Sequence, residues 1–422
     1  MAPDTTRPAA LPIRAPTKRQ FCRALLPWFA FLTGDEPIAR LRRRAYEHFF
    51  AASRRGWLYR LRWKVAWPFK LACQSARAAC ANGQEVTAIG GPPRWQQFTD
   101  MLVLGLRHNL AVRNYYLFEL WRPQERAQVG RYVQDFEGIW IMQLTNPAAR
   151  LAVIDDKLEF ARFCERHALA TVPVIAEFGP HGAETWLVAS RTLPRVDLFA
   201  KESGPLSCLG AGAECWIYDA DGDCWSRGGE RCDEQALVAR LRQVTARTIV
   251  QPRLLNHTVI ASLGVRALCT VRVITIRPPG GTVRHFHSFL RMPLIPDSDV
   301  DHRGLTAAIY AGGVLGPAVV RTVRNRWHPH HPDTGAVIEG RVLPDFDAAV
   351  ALAIRAHEAL DLDCSVGWDI ALTPSGPRLT EGNSVWGTDT IQTALPVPMA
   401  DSGLVEDLLR LADCVEMPPR WI

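Results

Sequence analysis

No stretch of this 422-residue chain approaches the roughly 20 consecutive apolar residues that a membrane-spanning helix needs, so a transmembrane protein is not expected. The phosphate-loop pattern G-x-x-x-x-G-K-[ST] is missing, and Gly210-Ala211-Gly212-Ala213-Glu214-Cys215 lacks the third glycine of a dinucleotide fingerprint. H-E-x-x-H and G-x-S-x-G are missing as well, which removes the usual signals of a zinc peptidase and of a serine hydrolase. None of the eleven cysteines forms a C-x-x-C pair. The cluster of His328, His330 and His331 and the group Cys208, Cys215, Cys224 and Cys232 therefore make a poor zinc set. With scattered cysteines, odd in number, and no signal peptide, reduced thiols and a cytoplasmic protein are expected. No recognised nucleic-acid module accompanies the basic residues, and none is expected to be needed.

What is present is ordinary globular material, 48% apolar and 22% charged, enough for two or three domains. Charge is unevenly spread. Up to Lys70 there are fifteen Lys and Arg against four Asp and Glu, and beyond it thirty-four against thirty-nine, so the net +6 belongs to the N-terminal region. That region reads as a Pro-rich disordered leader over 1–17 followed by a basic helical region over 18–134. Within it, Ile38 to Phe50 is expected to carry Arg42, Arg43 and Arg44 on a solvated side. The segment Trp57 to Trp67 places Leu58, Leu61 and Val65 on one helical face, and Pro68 is expected to end or kink that helix. A basic, Trp-bearing amphipathic helix suits contact with the periphery of an anionic membrane; packing against the rest of the chain is the plainer reading.

The most specific signal lies near the C-terminus. Apolar alternation around Trp368 and Ile370, the turn Thr373-Pro374-Ser375-Gly376 and the return through Leu379 specify a β-hairpin. Residues two apart on a strand share a face, so Glu381 and Asn383 project together and meet Asp369 across the pair. Three oxygen ligands of this kind suit Mg²⁺, which completes its octahedron with phosphate oxygens and water. Upstream, Lys201 ends an apolar strand, and Lys157 opens a helix whose neighbours are charged. Two such cations offset a nucleotide triphosphate, and Gly204, Gly210 and Gly212 let backbone amides approach it. Each feature alone also has a plain structural explanation. Arg272, inside the apolar run Val271 to Ile276, needs a partner, either a structural carboxylate or a phosphoryl group; Arg291 is a second, weaker candidate.

The order of these segments resembles the ATP-grasp enzymes, in particular the sugar-transfer associated, or α-L-glutamate ligase-like, branch. Asp156-Lys157-Leu158-Glu159-Phe160, Asp197-Leu198-Phe199-Ala200-Lys201, Ile249-Val250-Gln251-Pro252, Cys269-Thr270-Val271-Arg272, His331-Pro332-Asp333-Thr334-Gly335 and the hairpin carry the resemblance, from about Asn146 to about Gln392. Where relatives tend to show an Asp-Asn pair and paired glycines, this chain has Asp301-His302-Arg303-Gly304, so its acceptor loop differs.

The resemblance implies an α+β fold: two lobes, 135–254 and 255–422, clamping ATP and Mg²⁺. It implies that Gln251 and the backbone through Leu254 hold adenine, that Asn256 or His257 reaches the ribose, and that Arg272 faces the reacting centre. It further implies an ATP-dependent carboxylate-amine ligase that forms an amide through an acyl phosphate and releases ADP and phosphate. A kinase on the same scaffold and a non-catalytic ATP-binding protein of a polysaccharide pathway are the alternatives. The acid and the amine, a small molecule or peptide, are not encoded in any readable motif. Trp327 and Trp386 are candidates to stack on a ring.

Overall fold

The computed structural model describes residues 34–52, 57–146, 148–203, 213–295, 304–320 and 326–416. The Pro-rich leader, the glycine loop with Gly204, Gly210 and Gly212, and Asp301, His302 and Arg303 lie outside the described residues.

Two antiparallel sheets organise the chain, in agreement with the α+β expectation. The first comprises β1 (Ala176–Phe178), β2 (Glu184–Trp186), β3 (Leu198–Glu202), β4 (Glu214–Asp219), β5 (Cys224–Arg227), β6 (Glu230–Cys232) and β7 (Thr248–Pro252), in the order β2-β1-β7-β3-β4-β5-β6. The second comprises β8 (Thr270–Ile276), β9 (Arg284–Pro293), β10 (Gly304–Ile309), β11 (Leu315–Val320), β12 (Arg326–His328), β13 (Ser365–Thr373) and β14 (Gly376–Asn383), in the order β12-β11-β10-β9-β8-β13-β14. The apolar run of β8 reflects burial on both faces of its sheet.

Helices cover both faces of the second sheet. On one side lie α1 (Pro37–Ala52), α4 (Asp135–Thr145) and, near the C-terminus, α9 (Val405–Asp413). Ile38, Leu41 and Phe49 share a core there with Phe136, Trp140, Ile274, Ile276, Phe289 and Leu408. On the other side lie α5 (Ala148–Asp155), α6 (Lys157–Arg166) and α7 (Phe346–Leu360), whose Leu151, Phe160, Phe163 and Leu352 pack on Val271, Val273, Val366 and Trp368. The opposite flank of α6, through Leu158 and Ala161, meets Val174 and, on β7 of the first sheet, Ile249. The short helix α8 (Thr388–Ala394) follows the hairpin. A satellite bundle is built on α2 (Trp57–Ala88) and α3 (Arg94–His108).

Two expectations for the N-terminal region, a solvated Arg42 and a helix ended at Pro68, are corrected. Arg42 is buried, not solvated: it pairs with Glu137 at 3.3 Å and donates to the carbonyls of Gly130 and Tyr132. Arg44 donates to the carbonyls of Ala412 (2.6 Å) and Val415 (3.0 Å), so this charged helix is fastened to the end of the chain. A proline inside a helix removes one hydrogen bond, yet α2 runs on through Pro68. The buried Trp67 and Leu71 on either side anchor the turn in the satellite core. Among the described residues no helix is long and apolar enough to cross a membrane.

Candidate functional site

The hairpin forms in the expected register with one addition. Gly367 pairs with Asn383 and Asp369 with Glu381, whereas one step further Ile370 already pairs with Leu379. Thr380 is the extra residue of a β-bulge, and its hydroxyl donates to the carbonyl of Asp369 at 3.0 Å. Without the bulge Thr380 would oppose Asp369, and Glu381 would turn toward Trp368 in the core. The bulge is what puts both carboxylates on one face. Gly382 fits beneath it because a Cβ there would lie 2.9 Å from the Ile154 side chain and 3.3 Å from the Trp368 ring.

The partner that Arg272 requires is Asp369. Nε donates to Oδ1 at 2.5 Å and Nη2 to Oδ2 at 2.8 Å, a bidentate pair directly opposed across β8 and β13, with both residues buried. Burial disfavours charge on each partner, but their mutual attraction outweighs it: Asp369 is held below the usual carboxylate range and Arg272 is raised. Nη1 of Arg291 approaches the same carboxylate at 3.6 Å from a half-exposed side chain. The amide nitrogen of Asn383 donates to Gly367 O (3.3 Å) and Asp369 Oδ2 (3.4 Å). Close approach is possible because residue 367 is glycine; a Cβ there would lie 3.0 Å from Cδ of Arg272.

Both lysines arrive at the same place from the other side. Asp156 caps α6 by accepting from the amides of Leu158 (3.0 Å) and Glu159 (3.2 Å), and Arg247 pins the same carboxylate at 2.7 Å. Lys157, the first helical residue, is thereby buried with Nζ 3.8 Å from Glu381 Oε1. Its amide reaches the carbonyl of Ser203 at 3.4 Å, which ties the helix start to the end of β3. Lys201, on that strand opposite Ile249, has its ammonium pushed down by burial and by the charge of Lys157, against the pull of Glu381 and Asp369. Lys157, Lys201, Asp369, Glu381, Asn383, Arg272 and Arg291 thus form one constellation.

The adenine and ribose candidates follow one another from the end of β7. Gln251 is buried at the end of β7 and donates to the carbonyl of Val172 at 3.2 Å; Leu254 is half-buried in the segment that leaves the sheet. Asn256 holds its own loop, donating to Ala267 O (3.0 Å) and accepting from the Cys269 amide (2.9 Å). Nδ1 of His257 caps the short helix Thr258–Ala261 by accepting from the Val259 amide at 3.2 Å. His331 organises a turn, with Nε2 3.0 Å from the carbonyl of Pro293 and Nδ1 accepting from Asp333 and Thr334. Trp386 is not available for stacking: it is 1% exposed and donates to Ser365 Oγ at 3.0 Å, whereas Trp327 is 38% exposed on an edge strand.

Sequence reasoning passed over two residues that hold the hairpin. The buried Asn146 donates to Ser365 O (2.9 Å) and Ser384 O (2.6 Å) and accepts from the Ser365 amide (3.1 Å), joining the start of β13 to the residue after β14. Asp155 accepts from the Ser384 hydroxyl at 3.0 Å, immediately beside Asn383. Only the placement of Asn and Asp at helix ends hinted at them.

Two carboxylates and an amide are hard oxygen donors of the kind Mg²⁺ accepts, and further ligands would come from phosphates and water. Among the described residues no group of three or more His, Cys, Asp or Glu is placed to hold a metal. Against known proteins, residues 209–402 match the family model described as sugar-transfer associated ATP-grasp. By that match, residues 209–402 are similar to the sugar-transfer associated ATP-grasp proteins. Lys157 and Lys201 precede the matched segment, so their place in the site rests on geometry.

Solved structures similar to this chain include a D-alanine–D-alanine ligase from Bacillus anthracis, at 13% identity over 63% of this chain and 67% of that one, TM-score 0.33. An L-amino acid ligase from Bacillus licheniformis matches at 12% over 65% and 53%, TM-score 0.35. Biotin carboxylase from Campylobacter jejuni matches at 10% over 64% and 48%, TM-score 0.35. No curated protein matches in sequence.

Proposed function

We propose that this ATP-grasp protein is an ATP-dependent carboxylate-amine ligase that joins an acid to an amine and releases ADP and phosphate. The observation that carries the proposal is the meeting of Lys157 and Lys201 with the Asp369, Glu381 and Asn383 face of the hairpin. Two ammonium groups at that point suit a triphosphate, and the two acids beside them suit its cation. When bound, Mg²⁺ would neutralise phosphate charge and polarise the transferring phosphoryl group.

The remaining work falls to the chain's own residues. Arg272 fixes the plane of Asp369 and keeps it ionised. Lys157 and Lys201 hold the phosphates in line with the incoming acid, whose oxygen attacks the terminal phosphorus as ADP leaves. Arg291, half-exposed next to Asp369, is placed to steady the acyl phosphate while the amine attacks its carbonyl carbon, expels phosphate and gives up a proton. No side-chain nucleophile enters the scheme.

Thermal unfolding with and without MgATP tests the nucleotide site. At about a hundred times the dissociation constant, bound MgATP adds about 2.7 kcal/mol of stability, and Glu381→Gln is expected to abolish the gain without unfolding the protein. A well-folded wild type that shows no gain would overturn the reading. Nucleotide release in the presence of paired acids and amines then tests the reaction. AMP and pyrophosphate, or a stable phosphorylated product formed without amine, would replace the ligase by another enzyme class.

A further inference from the structure

Helices α2 and α3 run antiparallel: a Cβ at Gly105 would lie 2.5 Å from the Leu71 side chain, and one at Gly83 would lie 2.8 Å from that of Arg94. Their inner faces, with Trp67, Leu71, Met101 and Leu104, fill the satellite core. Each helix also has a second apolar line on its outside. Val65, Phe69, Ala72 and Ala76 recur at i, i+4, i+7 and i+11 on α2, and Trp95 and Leu106 are eleven positions apart on one line of α3. Both lines are rotated in the same sense from the contact between the helices, which puts them on one side of an antiparallel pair. Phe69 is 73% exposed, Trp95 69%, Val65 63% and Leu106 40%.

Charge decides what this face suits. Between Trp57 and His108 the chain has seven Lys and Arg against two acids, Glu85 and Asp100. Asp100 is half-buried and already taken by Arg126 and the hydroxyl of Tyr115. An exposed Trp and Phe on a basic helical pair match an anionic bilayer, whose interface accepts aromatic rings and whose headgroups attract cations. We infer that the α2–α3 pair docks the protein on an anionic membrane surface through Val65, Phe69, Trp95 and Leu106, lying in the interface plane without crossing it.

Co-sedimentation of the full chain with vesicles tests this. With an equal mixture of phosphatidylcholine and phosphatidylglycerol the protein is expected to sediment and to be released by high salt; with phosphatidylcholine alone it is expected to stay in solution. Phe69→Ser combined with Trp95→Ser is expected to weaken vesicle binding by about tenfold or more, with the circular dichroism and the MgATP-induced stabilisation unchanged. Failure to sediment with phosphatidylglycerol vesicles would overturn the inference, as would equal sedimentation of the double variant. Two further outcomes would also overturn it by assigning the face to another occupant. One is a solution dimer that the double variant splits. The other is vesicle binding that appears only when residues 1–33 are removed.

Discussion

The Arg272–Asp369 pair shows how one residue can serve two masters at this site. Asp369 is a candidate metal ligand, yet both its oxygens are engaged by a buried guanidinium. Removing the guanidinium leaves the buried carboxylate only its longer contacts with Arg291 and Asn383; breaking a buried pair costs about 3–5 kcal/mol. Arg272→Ala is expected to show a loss of that order in denaturant unfolding, and Arg272→Lys, with no planar fork, to recover only part of it. A near-neutral Arg272→Ala would mean that Asp369 is not tied to Arg272 in solution. The sequence revealed that Arg272 needs a partner, because an arginine inside an apolar strand always does. It did not reveal which one, because 97 positions separate the two and only the alignment of β8 with β13 brings them together.

At the scale of elements, the hairpin was legible because a period of two assigns faces without reference to anything distant. The bulge at Thr380 was not legible. Nothing in Leu379-Thr380-Glu381 distinguishes a regular strand from one with an extra residue, and the choice is made by Trp368 and Ile154, which demand Gly382 on their side. The polar clamps were hidden for a similar reason: their partners are backbone atoms of a remote segment. Asn146→Ala deletes a buried side chain that holds three backbone groups, and each buried group left unsatisfied costs about 1–3 kcal/mol. The variant is expected to be less stable and, because β13 and β14 lose their brace next to Asn383, to bind MgATP less tightly in calorimetry. Unaltered affinity in a folded Asn146→Ala would separate the clamp from the site. Arg42 misled through its neighbours, since a run of three arginines reads as a solvated face until Glu137 is folded beneath it.

For the whole molecule, the second sheet is the common foundation, and one buried histidine of α7, packed on it, makes overall stability depend on pH. His357 lies within hydrogen-bond distance of Thr275 Oγ1 (2.7 Å) and of the Leu362 carbonyl (3.2 Å), and the same hydroxyl accepts from Trp368 Nε1 at 2.8 Å. Burial pushes its pKa from 6.5 down to about 4. Below 6.5 the unfolded chain takes up a proton that the folded one refuses, so stability falls as the pH drops toward 4, by about 1.4 kcal/mol per pH unit, and this contribution is flat above 6.5. His357→Gln is expected to flatten that part of the stability curve in pH-dependent unfolding; an unchanged slope would assign it to other groups. Around this foundation the first sheet is attached partly through α6, whose Phe160 and Phe163 belong to the second-sheet core while Leu158 and Ala161 touch Val174 and Ile249. Lys157 therefore rides with the hairpin and Lys201 with the first sheet. Under the proposed function, a phosphate chain touching both ammonium groups would staple the first sheet to the second.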